Sequence, residues 1–126
     1  MPFEFTLANL LADTDRTVGV LFLDDSGETV DLACADYSPY DMKVVAAYLG
    51  IYLRQVRSTV DSAAAGELAS IHISRFGLET LVQLLPDGYA LALVQRPPVV
   101  LAQARRALER AADEIRREVF AAPQGA

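Results

Sequence analysis

Cysteine is almost missing from this chain of 126 residues, with Cys34 the one thiol. One thiol cannot build an internal disulfide framework, so a reducing compartment is the simpler setting and a cytoplasmic location is expected. Histidine is as scarce, with His72 alone. Without a second histidine or a cysteine pair, no zinc site is expected. No uninterrupted apolar run reaches the ~18 residues that a membrane helix needs, so no membrane insertion is expected. The opening stretch, MPFEFTLANLLADTD, is acidic and lacks a basic leader, which argues against a signal peptide. Positive charge is in deficit too. A net charge of −6 repels phosphate backbones and anionic headgroups, so nucleic acid is not an expected partner.

Nucleotide-binding motifs are also lacking. There is no GxxxxGK[ST] loop and no GxGxxG fingerprint, so the chain is not itself a GTPase of the usual kind. Asp24, Asp25 and Glu28 surround a turn, but their spacing does not fit the calcium loop DxDxDG, and they read as turn formers. His72 falls on an alternating strand and reads as a polar surface or interface residue. Cys34 falls on the apolar side of a strand, where a buried, inert thiol is expected; Asp31 and Asp36 nearby disfavour a thiolate. These absences lead to one expectation: no catalytic residues, no cofactor, no metal, and a protein that is not an enzyme.

What is present suits a folded domain. The composition is 52% hydrophobic and 22% charged, far from that of a disordered chain. The length fits one domain over 1–126, with one core over about 3–120 and a frayed, flexible tail at 121–126.

The apolar spacing of Phe3, Leu7, Leu10 and Leu11 predicts a short first helix over 3–12. VGVLFL (18–23) and ETVDLAC (28–34) flank Asp24-Asp25-Ser26-Gly27 and read as a hairpin, with Val30, Leu32 and Cys34 on one face. Ser38-Pro39 opens a second helix running to about Ser58, and Asp61 to Gly66 reads as a small-residue linker. LASIHISR (68–75) alternates, with Ala69, Ile71 and Ile73 on one face and Ser70, His72 and Ser74 on the other. Phe76-Gly77 makes a turn, LETLVQLL (78–85) the next strand, Pro86-Asp87-Gly88 a hairpin turn, and YALALVQ (89–95) the last strand. Pro97-Pro98 begins a third helix to about Val119. Its buried stripe is Leu101, Ala104, Leu108, Ala111 and Ile115, and Asp113 precedes Arg117 by four residues.

The order is α-β-β-α-β-β-β-α. VGVLFL and YALALV are apolar on both faces, so helices must cover both sides of the sheet there, and those strands belong in its middle. The two alternating strands belong at the edges. The arrangement is an α/β sandwich whose five-stranded antiparallel sheet runs in the order 2-1-5-4-3.

The second helix is the most informative segment. At about 100° per residue, Met42, Val45, Tyr48, Leu49, Tyr52, Leu53 and Val56 form a stripe that should pack on the sheet. Tyr40, Val44, Ala47 and Ile51 form a second apolar arc, and a narrow remainder holds Lys43, Gly50, Arg54 and Arg57. Burying Val44 and Ile51 is worth roughly 1.5–3 kcal/mol each. Either the first helix covers that arc or a second molecule does; with no further element at hand, a dimer is the economical reading. Its interface would comprise Tyr40, Val44, Ala47 and Ile51, with Ser70, His72 and Ser74 of the alternating edge strand. Lys43, Arg54 and Arg57 would form a basic strip able to steer an acidic partner, or an ordinary solvated face.

VGVLFLDDSGETVDLA, with its acid-x-Gly turn at Asp25 and Gly27, resembles the first hairpin of the Roadblock family, the dynein-light-chain-like domains of the longin/profilin-like group. LVQLLPDGYALALV resembles the family's last hairpin, and the helix after RPP its C-terminal helix. The resemblance covers nearly the whole chain and points to the bacterial MglB-like branch. The first helix is short, and Pro97-Pro98 stands where many relatives have a glycine. The resemblance implies a homodimer, or a heterodimer with a paralogue, in which second helices pair and third strands add edge to edge. It also implies association with a small Ras-like GTPase. Two other functions fit less closely: a structural dimerisation module of a larger complex without GTPase contact, and a ligand-sensing domain of PAS or profilin-like shape.

Overall fold

The computed structural model of the chain describes residues 2–63, 66–75 and 77–120. In chain order these form α1 (Pro2–Asp13), β1 (Thr17–Leu23), β2 (Thr29–Cys34), α2 (Pro39–Ser62), β3 (Ser70–Arg75), β4 (Leu78–Leu84), a 3-10 turn (Pro86–Gly88), β5 (Ala90–Gln95), α3 (Leu101–Ile115) and a π-helical turn (Arg116–Phe120). The strands make one sheet in the order β2-β1-β5-β4-β3, with every neighbouring pair antiparallel. Topology and sheet order are those expected from the strand patterns. The expected flexible tail at 121–126 lies outside the described residues, as does Phe76 of the expected Phe76-Gly77 turn.

The sheet divides the interior into two cores where the sequence suggested one. On one face, Leu7 and Leu10 of α1 and Leu108 and Ile115 of α3 pack on Val20, Phe22, Leu81, Leu91 and Leu93. On the other, Met42, Ala46, Leu49 and Leu53 of α2 pack on Leu21, Leu23, Val82, Ala92 and Val94. β1 and β5 are buried along their whole lengths. Alternate residues of a strand point to opposite faces, so a strand between two helical layers is apolar along its middle; the buried polar ends, Thr17 and Gln95, are hydrogen-bonded to the Thr14 hydroxyl and the Asp15 carbonyl.

Turn chemistry closes the hairpins. Asp24 Oδ1 accepts hydrogen bonds from the backbone N–H of Ser26 and of Glu28, both at 2.9 Å. At the β4–β5 turn Asp87 and Gly88 both have positive φ, +60° and +83°. Glycine adopts that region freely, and aspartate tolerates it better than most residues.

Several expectations need correction. α2 continues through Asp61 and Ser62, so the linker is shorter than expected; Ala64 and Ala65 lie outside the described residues. Pro97-Pro98 precedes α3 instead of opening it, because the N-cap is Val100. Leu101, placed in the buried stripe of α3, is exposed in the first turn, while Ala107 and Ala112 join the buried set. Asp113 pairs with Arg116 at 2.7 Å, not with Arg117. Val30 is exposed and Cys34 only half-buried, since β2 is an edge strand that α2 covers incompletely.

Candidate functional site

The candidate site is the outer surface of α2 together with the β3 edge. The helix is well started: Ser38 Oγ accepts from Asp41 N–H at 3.0 Å, and Pro39 occupies the first helical position. Its buried residues are Met42, Ala46, Leu49, Gly50 and Leu53. This corrects the projected stripe. Tyr48, expected on the sheet, is 57% exposed, and Gly50, assigned to the polar remainder, is buried.

Gly50 is buried because it meets the first hairpin. A Cβ there would lie 3.1 Å from the Gly27 carbonyl carbon and 3.2 Å from its Cα, and would overlap the carbonyl oxygen. Gly27 itself has φ +84°. Two glycines thus let a helix touch a turn backbone to backbone.

Arg54 and Arg57 complete this contact. Arg54 Nη1 donates to the Ser26 carbonyl at 2.6 Å, and Arg57 Nη2 to the Gly88 carbonyl at 2.6 Å. Each guanidinium therefore ties α2 to a hairpin turn, one between β1 and β2, the other between β4 and β5. Lys43 is exposed further up the helix. The basic strip exists as a row of residues, but two of its members have intramolecular work.

The second apolar arc lies open. Tyr40 is 74% exposed, Ile51 41% and Val44 39%, with Ala47 also exposed between them. α1 does not cover the arc, because it packs against α3, β1 and β2 on the opposite side of the sheet. Beside the arc, a groove of about 250 Å³ separates α2 from the β3–β4 side of the sheet. Val45, Tyr48, Tyr52, Ile73 and Leu78 line it, and Arg75 Nη1 donates to Tyr52 Oη at 2.8 Å at its edge.

β3 hydrogen-bonds to β4 on one side and ends the sheet on the other. Ile71 and Ile73 turn toward the α2 layer. Ser70, His72 and Ser74 are exposed on the opposite face, as expected. There His72 Nε2 and Ser74 Oγ both contact the Glu79 carboxylate, the histidine at 2.7 Å. The Ser74 hydroxyl first, then the His72 hydrogen bond, holds the Glu79 carboxyl below its ordinary range. The serine bonds to the glutamate and not to the histidine, so this trio is not arranged as a nucleophile with its base. Among the described residues no group of three or more His, Cys, Asp or Glu could hold a metal ion, and no helix is long and apolar enough to cross a membrane.

The sequence reading missed Glu79, the Gly27–Gly50 contact and the tyrosine-lined groove. A glycine in mid-helix was the available signal for the second, since glycine there weakens a helix unless something needs the space.

No protein-family profile and no curated protein matches the chain. Solved structures do. The Roadblock/LC7 domain from Streptomyces avermitilis superposes with a TM-score of 0.80 at 14% identity, covering 92% of this chain and 96% of that one. Myxococcus xanthus MglB gives a TM-score of 0.82 at 13% identity, covering 94% and 95%. MglC from Myxococcus xanthus gives 0.73 at 20% identity, covering 94% and 100%. With sheet order, helix placement and near-complete mutual coverage in agreement, the chain has the Roadblock/LC7 fold in its bacterial, MglB-like form.

Proposed function

We propose that this chain is a dimeric regulator or scaffold that binds a small Ras-like GTPase and carries no catalytic site of its own. The observation that carries the proposal is the uncovered apolar face of α2: Tyr40, Val44, Ala47 and Ile51, with Tyr48 beside them. Contiguous exposed apolar side chains on a helix mark contact with another molecule. The dimer would pair α2 with α2 and β3 with β3, using Ser70, His72 and Ser74 at the edge; strand addition gives backbone hydrogen bonds without demanding particular side chains. The partner copy is this chain or a paralogue. Lys43, Arg54 and Arg57 flank the apolar face and would form part of the charged rim that meets the GTPase.

A structural dimerisation module without GTPase contact is the second reading. It is favoured by the commitment of Arg54 and Arg57 to the turn carbonyls of Ser26 and Gly88. One experiment separates the two. The purified, tagged chain is mixed with lysates loaded with GTP or GDP analogues, and recovered small GTPases are identified. Recovery that depends on the nucleotide supports the regulator; recovery of no GTPase in either state leaves the module.

A further inference from the structure

On the face opposite α2, α1 and α3 run antiparallel along a common seam, and two clefts open there. One, of about 410 Å³, is lined by Asn9, Asp13, Arg110 and Arg117 among others. The other, of about 650 Å³, lies between the end of α1 and the start of α3. Asp13, Ala107 and Arg110 line both, so the clefts form one groove.

The larger cleft has walls of opposite charge. Asp13 and Asp15 stand on the α1 side, Arg106 and Arg110 on the α3 side. All four are exposed, and no ion pair joins the two walls among the described residues. Arg16, the third arginine of the cleft, is committed elsewhere: Nε donates to the Arg96 carbonyl at 2.9 Å and Nη2 to the Pro97 carbonyl at 2.8 Å. Along the smaller cleft the separation is lost, because Glu114 lies beside Arg117 and Asp113 is paired with Arg116. Val100, 62% exposed, lines the larger cleft, and Phe5, 75% exposed, projects from α1.

We infer that this seam is a second contact surface, and that its partner is another copy of the same chain. A polyanion would meet Asp13 and Asp15, and a polycation would meet Arg106 and Arg110. Both walls are satisfied by a partner presenting an acidic row beside a basic row, and this chain presents one. Two-fold rotation lays the arginine wall of each copy over the aspartate wall of the other, the self-complementarity that an isologous contact requires. Val100 supplies apolar surface to such a contact. α2 and β3 take no part in it, so the inference stands independently of the proposed dimer and GTPase binding. If both contacts form, assemblies larger than a dimer result.

The test is the mass of the full chain by sedimentation velocity across salt concentration. Charge pairing at a rim is screened as the Debye length falls, to roughly 3 Å at 1 M salt. The wild type is expected to show a species of twice the basic mass at low salt that dissociates at high salt. Arg106→Glu with Arg110→Glu should weaken that association at least about tenfold, and so should Asp13→Arg with Asp15→Arg, since each leaves like charges opposed. Mixing the two variants in equal amounts should restore it, because one then offers two acidic walls and the other two basic walls. Arg106→Gln with Arg110→Gln, conservative at exposed helical positions, should weaken the association in the same direction but by less, and serves should a reversed variant fold poorly. A mass that does not respond to salt, or reversed variants whose mixture stays dissociated, overturns the inference. Val44→Asp with Ile51→Asp, which attacks the α2 face, should leave the seam contact intact, so failure of one surface is distinguishable from failure of the other.

Discussion

Replacing Gly50 by alanine sets two effects of opposite sign against each other. Helix propensity alone stabilises: glycine to alanine inside a helix gains about 1 kcal/mol. The structure opposes it. The added Cβ would overlap the Gly27 carbonyl oxygen and crowd two further backbone atoms, which cannot swing aside as a side-chain tip can. Overpacking of this kind costs about 1–3 kcal/mol. Lifting α2 from the turn also strains the bond from Arg54 to the Ser26 carbonyl, for which about 0.5–1 kcal/mol is reasonable at an exposed position. The net expectation is a loss of about 0.5–3 kcal/mol. For 126 residues, unfolding entropy of about 2.1 cal/mol/K per residue converts this to a fall in Tm of about 2–11 °C. Thermal unfolding followed by circular dichroism, at one fixed protein concentration because association shifts Tm, measures it. Ser58→Gly, at an exposed position of the same helix outside the proposed interface, is the control and should lose only about 0.5 kcal/mol from propensity. A Gly50→Ala protein as stable as the wild type, or more so, would refute the claim that α2 and the first hairpin are in backbone contact.

Val44→Asp with Ile51→Asp should, at high salt where the seam contact has dissociated, convert the proposed dimer to a folded monomer or an insoluble protein; a dimer of unchanged mass by light scattering under those conditions would remove α2 from the interface. Lys43→Glu should slow GTPase capture, most visibly at low salt, since rim charges act mainly on association rate; unchanged capture at every salt concentration would make the strip a solvated face. Arg54→Glu with Arg57→Glu should weaken capture further and also lower Tm, because both guanidinium groups hold turn carbonyls; a melt identical to wild type would contradict those bonds. Glu79 has its carboxyl lowered in the folded state. Its contribution is therefore present above the unfolded pKa of about 4.3 and is lost as pH falls through the lower folded value. Glu79→Gln should accordingly flatten the acid limb of a stability–pH curve, and identical acid limbs for variant and wild type would discount the bonds from Ser74 and His72.

The sheet was legible in the sequence because its physics is local. A strand buried on both faces cannot alternate, so VGVLFL and YALALV declared themselves central, and ETVDLAC and SIHISR declared themselves edges. The exposed arc of α2 was legible for a related reason: Val44 and Ile51 stand opposite Met42 and Leu53 on any regular helix, and the chain had no third layer to offer them. Contacts between distant segments were harder to read. Nothing near Arg54 or Arg57 in sequence reveals the carbonyls of Ser26 and Gly88, which lie 28 and 31 residues away. Tyr48 was misplaced because a wide apolar stripe was assumed to pack as a unit. A groove opens on that side of the helix, where burial was expected.

That groove bears on the proposed dimer. If two β3 edges pair antiparallel about a two-fold axis normal to the sheet, directly opposed residues must point to the same face. Position i then meets position j with i plus j even, whatever the register. Ser70, His72 and Ser74 of one copy can therefore meet only members of the same polar set in the other, while Ile71 and Ile73 meet members of their own set, which also holds Arg75, on the α2 side of the sheet. A slip by one residue would set polar against apolar and is excluded, so the alternation of six residues narrows the register to steps of two. In such a dimer the 250 Å³ groove, lined by Tyr48 and Tyr52 together with Ile73 of β3, would lie next to the paired edge. Aromatic side chains in that position bury large area at little entropic cost, and the hydroxyl of Tyr52 already has its partner in Arg75. The apolar arc of Tyr40, Val44 and Ile51 then divides between the seam of the two helices and the surface above it, which is the part left for a third molecule. Dimerisation and partner capture would thus use adjacent rows of one helix, and substitutions in the tyrosine row should affect assembly before they affect binding.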